Sequence, residues 1–138
     1  MKIKIKKLHP DAVIPFYAKD GDAGLDITAI DVVADEGTIT YKTGLAIEIP
    51  RWHVGLLFPR SSVYKTGQLL TNCVGVIDSG YRGEIMMKFT LSRFQREYDI
   101  GDRVGQLIII PYPKIQFEEV TELIPTDRGT GGYGSTGS

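Results

Sequence analysis

Apolar and polar positions alternate with a period of two along much of this chain. Ile85, Met87, Phe89 and Leu91 are interleaved with Glu84, Met86, Lys88 and Thr90, as in a strand with one face in a core. Ile3 and Ile5 alternate with lysines in the same way. Residues 44–49, 54–58 and 115–120 are further short strand candidates. Residues 104–110 are almost continuously apolar, interrupted only by Gly105 and Gln106, which predicts a strand covered on both faces. Gly and Pro recur at short intervals and no long segment has a helical period; residues 61–65 alone suit a short helix. Many short strands divided by turns predict an all-β fold, a distorted jelly-roll or β-barrel with at most one short helix.

After Pro125 the pattern stops. The run T-D-R-G-T-G-G-Y-G-S-T-G-S is mostly glycine and small hydroxyl residues and has no core-forming power. The chain therefore divides into a β core over residues 1–124 and a flexible Gly-rich C-terminal tail over 125–138. Arg128 and Tyr133 are odd residues for an inert linker. G-T-G-G-Y-G fits G-x-G-x-x-G formally, but no strand precedes it and no helix can follow.

Composition narrows the function classes. With 138 residues the chain is one domain, and its 42% hydrophobic and 24% charged residues are those of a soluble globular protein. A net charge of -1 argues against a nucleic-acid binder, whose affinity would rest on a basic surface. Lys2, Lys4, Lys6 and Lys7 read as the solvated face of a strand. Cys73 is the only cysteine, so no intrachain disulfide forms, and a structural zinc site lacks ligands with only His9 and His53 to add. No stretch is long enough to cross a bilayer and no signal-peptide core is present, which together point to a cytoplasmic protein.

The most informative loop is N-C-V-G-V-I-D-S-G-Y-R-G-E, residues 72–84. Asp78 follows Val76 and Ile77, an arrangement expected to set its carboxylate against apolar neighbours and favour proton uptake. Taken alone, the loop is equally a hairpin with a polar tip. Four more glycine-rich polar stretches recur: D-A-G-L-D-I at 22–27, P-R-S-S at 59–62, G-D-R-V-G-Q at 101–106, and R-G-T-G-G-Y-G-S-T-G at 128–137. Arg60, Arg103 and Arg128, with hydroxyls and exposed backbone N–H groups, are an inventory suited to polyphosphate.

In this order and at these spacings the five stretches resemble the motifs of the trimeric dUTPases, over most of the chain from Asp22 to Gly137. The resemblance implies hydrolysis of dUTP to dUMP and pyrophosphate with Mg2+, water attacking the α-phosphorus. It also implies a homotrimer with active sites at subunit interfaces. Asp78 matches the aspartate that deprotonates the water, and Tyr81 the tyrosine that packs on deoxyribose. Asn72 and the backbone of Gly75, Val76 and Ile77 match the hairpin that reads the uracil edge. Arg60, Ser61, Ser62 and Gln106 match phosphate contacts, and Asp26 matches the aspartate near magnesium, reaching it through water. In the tail, Tyr133 matches the ring that stacks on uracil, while Arg128, Gly134, Ser135 and Thr136 match the phosphate-binding turn. Such a tail folds over a nucleotide held by neighbouring subunits.

Apart from the resemblance, each residue has a plainer role open to it. Asp78 could cap a hairpin, Arg60–Ser62 could begin a helix, Gln106 could be a satisfied buried amide, and Asp26 could be a turn residue. Arg82 and Glu84 are expected to hold the loop in place, and His9, His53 and Trp52 to pack or face solvent. The sequence departs from the family pattern at Tyr133, where phenylalanine is usual, at Pro59, where glycine is frequent, and at Ile27, which replaces leucine. Two rivals stand. A dCTP deaminase shares the fold and motif layout but needs a glutamate at the position of Lys88. A regulatory nucleotide-binding protein, as proposed for some phage relatives, would engage a protein partner through the same surface.

Overall fold

The computed structural model describes residues 1–91 and 97–134. Among these described residues, ten strands and one short 3-10 helix follow one another. β1 (Lys4–Lys7), β2 (Leu25–Thr28), β3 (Asp31–Asp35), β4 (Thr38–Lys42) and β5 (Leu45–Glu48) come first. After β6 (His53–Pro59) come the 3-10 helix (Ser61–Lys65), β7 (Gln68–Leu70), β8 (Gly75–Ile77), β9 (Met86–Leu91) and β10 (Arg103–Pro111). The all-β expectation holds, as does the single short helix. Among the described residues the sheets remain open, so the architecture is jelly-roll-like and not a closed barrel. Among the described residues no helix is long and apolar enough to cross a membrane.

Two four-stranded sheets, ordered β2-β10-β6-β8 and β3-β4-β9-β7, share one core, and a two-stranded β1-β5 sheet flanks them. The period-two pattern explains which side chains enter. Ile85, Met87 and Phe89 are buried while Met86, Lys88 and Thr90 are exposed. Ile39 and Tyr41 join them from β4, and Ile27, Leu57, Val104 and Leu107 come from the opposite sheet. At the centre Tyr41 meets Phe89 and Tyr98 edge-on, with centroids 5.7 and 5.6 Å apart, an arrangement that favours aromatic pairs beyond their area burial.

The strand at 104–110 forms and runs between β2 and β6, but it is not covered on both faces in this chain: Val104 and Leu107 are buried, Ile108 and Ile109 half-buried and Ile110 exposed. Its Gly105 lies so close to Met87 Sδ and to the Phe58 carbonyl that no Cβ fits. One further expectation needs correction, and one hairpin was not expected. Among the described residues, residues 115–120 form no strand and are exposed throughout, because an alternating pattern makes a strand only when a neighbouring backbone supplies the ladder hydrogen bonds. The β3–β4 hairpin, turned at Gly37 with φ +70°, went unread because all of β3 is exposed and so carries no buried apolar alternation.

Candidate functional site

The chain crosses between the sheets twice in quick succession, and both crossings carry polar residues. β7 lies at the edge of one sheet and β8 at the edge of the other, so residues 71–74 form the first crossing and residues 78–85 the second. Asn72 sits in the first, where its carbonyl accepts from Val74 N at 2.6 Å and Cys73 takes φ +60°. Gly75, Val76 and Ile77 then pair with Leu57, Leu56 and Gly55.

The second crossing is a braced loop. Its turn is closed by the Asp78 carbonyl, which accepts from Tyr81 N at 3.0 Å. The Asp78 carboxylate is exposed in the single chain, which corrects the expectation of apolar enclosure. Tyr81 O–H donates to the Glu84 carbonyl at 3.0 Å, and its ring folds back over Gly83, where a Cβ would strike the ring. Arg82 Nη1 donates to the carbonyls of Ser79 at 2.8 Å and Tyr81 at 2.9 Å. Glu84 Oε1 accepts from Gly44 N at 2.8 Å and ties the loop to the start of β5. Arg82 and Glu84 are therefore loop braces. Val76, Ile77, Asp78, Tyr81, Glu84 and Met86 line a hollow of about 190 Å³.

A second group of site residues gathers on β2, β10 and the end of β6. Asp26 lies opposite Gln106, which lies opposite Phe58. Asp26 is a strand residue, not a turn residue, and its Oδ2 accepts from Arg103 Nη1 at 2.7 Å. Arg60 Nη1 approaches the Arg103 carbonyl at 3.5 Å, and Gln106 Nε2 donates to the Pro59 carbonyl at a long 3.4 Å. Gly24 leaves the space that the Gln106 side-chain oxygen fills. No side chain caps the 3-10 helix after Arg60, so Ser61 and Ser62 are not held as N-caps. Ser62 and Arg60 border a shallow hollow with Lys65, Tyr98 and Asp102.

Arg103, which the sequence places among three arginines and within the stretch at 101–106, is the partner of Asp26. Among the described residues no cluster of three or more His, Cys, Asp or Glu side chains could cage a metal ion. The pair with Arg103 engages Asp26 Oδ2.

The two groups stand apart in one chain. Ile77 pairs with Gly55, five residues along β6 from Arg60, which at about 3.3 Å per residue puts the backbone at Asp78 at least about 17 Å from that of Arg60. The hydrogen bonds of the described part of the tail are internal to it. Gly129 N donates to the Thr126 carbonyl at 3.0 Å, Gly131 N to the Arg128 carbonyl at 3.0 Å, and Arg128 Nε to the Gly131 carbonyl at 3.2 Å. Tyr133 and Gly134 are fully or largely exposed. Ser135 and Thr136 lie outside the described residues.

Comparison with known proteins spans the whole chain. The dUTPase family model matches residues 11–137. A deoxyuridine 5'-triphosphate nucleotidohydrolase from Hydrogenobaculum sp. (strain Y04AAS1) is 39% identical, with 99% of each chain covered. One from Rhodococcus erythropolis (strain PR4 / NBRC 100887) is 42% identical over 99% of this chain and 87% of its own. The fold superposes on that of the Staphylococcus bacteriophage 80alpha dUTPase with dUPNHPP at a TM-score of 0.84 and 26% identity, covering 99% of both chains. A D-to-N mutant of the phage phi11 dUTPase, described as coordinating a structural Mg(II) ion, superposes at 0.74 with 26% identity over 89% of this chain and 99% of its own. With the model matched almost from end to end and relatives near 40% identity over their full length, the chain belongs to the dUTPase family.

Proposed function

We infer that this chain hydrolyses dUTP to dUMP and pyrophosphate, water attacking the α-phosphorus with Asp78 as general base. The observation that carries the reading is an exposed Asp78 beside Tyr81 in one hollow, within a chain that the family model matches over residues 11–137. An exposed carboxylate can meet both solvent and substrate, as a general base must. The Tyr81 ring, braced through its hydroxyl to Glu84, offers a flat face for the deoxyribose and no room for a 2′-hydroxyl. Asn72 and the backbone from Gly75 to Ile77 read the uracil edge.

Arg60, Ser61, Ser62 and Gln106 hold the phosphates. Mg2+ would neutralise charge on the phosphate oxygens, with Asp26 Oδ1 accepting from one of its waters. The distance of about 17 Å along β6 between the Asp78 and Arg60 groups is too long for adjacent phosphates of one nucleotide. That separation supports sites shared between subunits of a homotrimer. The C-terminal arm supports it too, since Phe117, Leu123 and Ile124 are 94%, 85% and 91% exposed and need a partner surface. The tail, with Arg128, Tyr133, Gly134, Ser135 and Thr136, closes over the nucleotide and excludes water.

Deamination of dCTP is disfavoured because Lys88, a donor without acceptor capacity, stands where that chemistry needs a carboxylate. A regulatory role through a protein partner is the second reading. It is favoured by the likeness to the 80alpha enzyme, which is described as controlling transfer of virulence genes by a G protein-like mechanism.

The test is pyrophosphate release from dUTP, dTTP, dCTP and UTP with Mg2+, using wild type and Asp78→Asn. Release from dUTP alone, lost in Asp78→Asn with binding of a non-hydrolysable analogue retained, is expected. Unchanged turnover in Asp78→Asn refutes the catalytic role, and a wild type that leaves dUTP intact refutes the hydrolase.

A further inference from the structure

Trp52 stands where a turn ordinarily takes glycine. The Pro50 carbonyl accepts from His53 N at 3.0 Å and closes a turn between β5 and β6. Within it Trp52 takes φ +65°, while Arg51 keeps φ below zero. That is the third place of a type II turn, which favours glycine because a side chain there crowds the backbone. A bulky residue held in this region points to surroundings that enforce it and to a role for the strain.

The surroundings are the root of the C-terminal arm, at the opposite end of β6 from Arg60. One step beyond the pairing of Pro111 with His53, the Trp52 carbonyl accepts from Tyr112 N at 2.9 Å. The Tyr112 ring meets the indole edge-on, with centroids 6.2 Å apart and planes at 73°. Lys114 brings its ammonium back to 6.0 Å from the indole centroid, and the Arg51 guanidinium lies 4.9 Å from it. Pro111 and Pro113 flank Tyr112, and each proline fixes its own φ and narrows the residue before it. One residue thus gathers the Tyr112 backbone, the Tyr112 ring and the Lys114 charge. From Ile115 to Ile124 every residue is exposed.

We propose that Trp52 is a positioning residue for the C-terminal arm, setting the direction in which residues 113–124 leave their own core towards a second copy. This rests on the reading above of a homotrimer with shared sites, and it adds the device that aims the arm. A root free to turn would spread the arm over many directions, and docking would cost the entropy of choosing one. The indole contacts remove that freedom before the copies meet. Glycine would relax the turn, yet it offers no face on which Tyr112 and Lys114 can pack. The strain at Trp52 is offset by the order it imposes on the arm.

The test compares full-length Trp52→Gly, Trp52→Phe and Lys114→Met with wild type. Amide hydrogen exchange over residues 114–124 is read by mass spectrometry, beside near-ultraviolet circular dichroism and dUTP kinetics with Mg2+. In Trp52→Gly the arm amides exchange at least about tenfold faster. KM for dUTP rises with them, because the tail behind the arm reaches the nucleotide less often, while kcat is little changed. Trp52→Phe keeps a ring face and stays close to wild type. Lys114→Met leaves the turn intact and speeds exchange by about threefold. Unchanged arm exchange and KM in Trp52→Gly and Lys114→Met overturn the assignment, and so does a Trp52→Phe chain as impaired as Trp52→Gly. Should Trp52→Gly lose its near-ultraviolet signal, Lys114→Met decides alone. A wild type that stays monomeric with unprotected arm amides removes the shared-site reading, and the positioning role falls with it.

Discussion

Asp26 and Arg103 lie 77 residues apart in sequence and 2.7 Å apart in space, joined by an ion-paired hydrogen bond from Nη1 to Oδ2. The carboxylate side chain is 14% exposed and the arginine 39%, so the pair is neither a solvated surface contact nor a buried one. It links β2 to β10 beside a register shift between Arg103 and Gly105, where the ladder alone is weakest. Replacing Arg103 by Met leaves a mostly enclosed carboxylate without its partner. We expect a loss of about 1–2 kcal/mol in urea unfolding. A double-mutant cycle with Asp26→Asn should return a clear coupling energy. No coupling would mean that the contact organises nothing.

The separation of Asp78 from Arg60 makes a prediction about assembly. Asp78→Asn and Arg60→Ala should each abolish most dUTP hydrolysis. If the two residues serve one nucleotide from different chains, refolding the two inactive variants together restores sites that contain both wild-type groups. Random assortment in an equimolar mixture gives about a quarter of the sites such a pair. Activity that stays at the level of the separate variants would show that each chain works alone.

The tail of this chain hydrogen-bonds within itself. Truncation after Thr126 should therefore move the thermal midpoint by less than about 2 °C, while lowering kcat/KM for dUTP by about a hundredfold or more. A truncated enzyme with full activity would remove the tail from the site. A truncated enzyme that fails to fold would contradict the independence of the β core.

Sequence alternation was informative wherever a strand buries one face within its own chain. It marked β9 correctly because Met87 and Phe89 reach the shared core. The same period at Ile115 and Phe117 is shorter, breaking at Glu119, and a strand needs a partner edge as well as a pattern. β3 failed in the opposite sense. It pairs fully with β4, but Val32 and Val33 are both exposed, so its alternation carries no burial signal. Loop glycines and polar residues flagged the crossings that hold Asn72 and Asp78. The pairing of Arg103 with Asp26 was invisible, since nothing local records a contact made across the whole fold.

The centre of the core offers a last test, of stability against pH. Tyr41 is fully buried, and its hydroxyl accepts from Gln68 Nε2 at 2.9 Å and from Tyr98 N at 3.0 Å. Burial raises the Tyr41 and Tyr98 hydroxyls above the ordinary value of 10.0, because the core disfavours a phenolate. In the unfolded chain both ionise near that ordinary value. Their contribution to stability is thus complete below pH 10.0 and drains away as pH rises through the higher folded values. Urea midpoints should hold level to the edge of that window and fall beyond it. In absorbance at 295 nm, two of the seven tyrosines should ionise only as near-ultraviolet circular dichroism collapses. Tyr41→Phe should cost about 1–3 kcal/mol at neutral pH by stranding the Gln68 and Tyr98 donors, while flattening the alkaline fall. Were all seven tyrosines to titrate with the tertiary signal intact, the hydroxyls would have to be reached by water, and the polar centre would not be sealed by the two sheets.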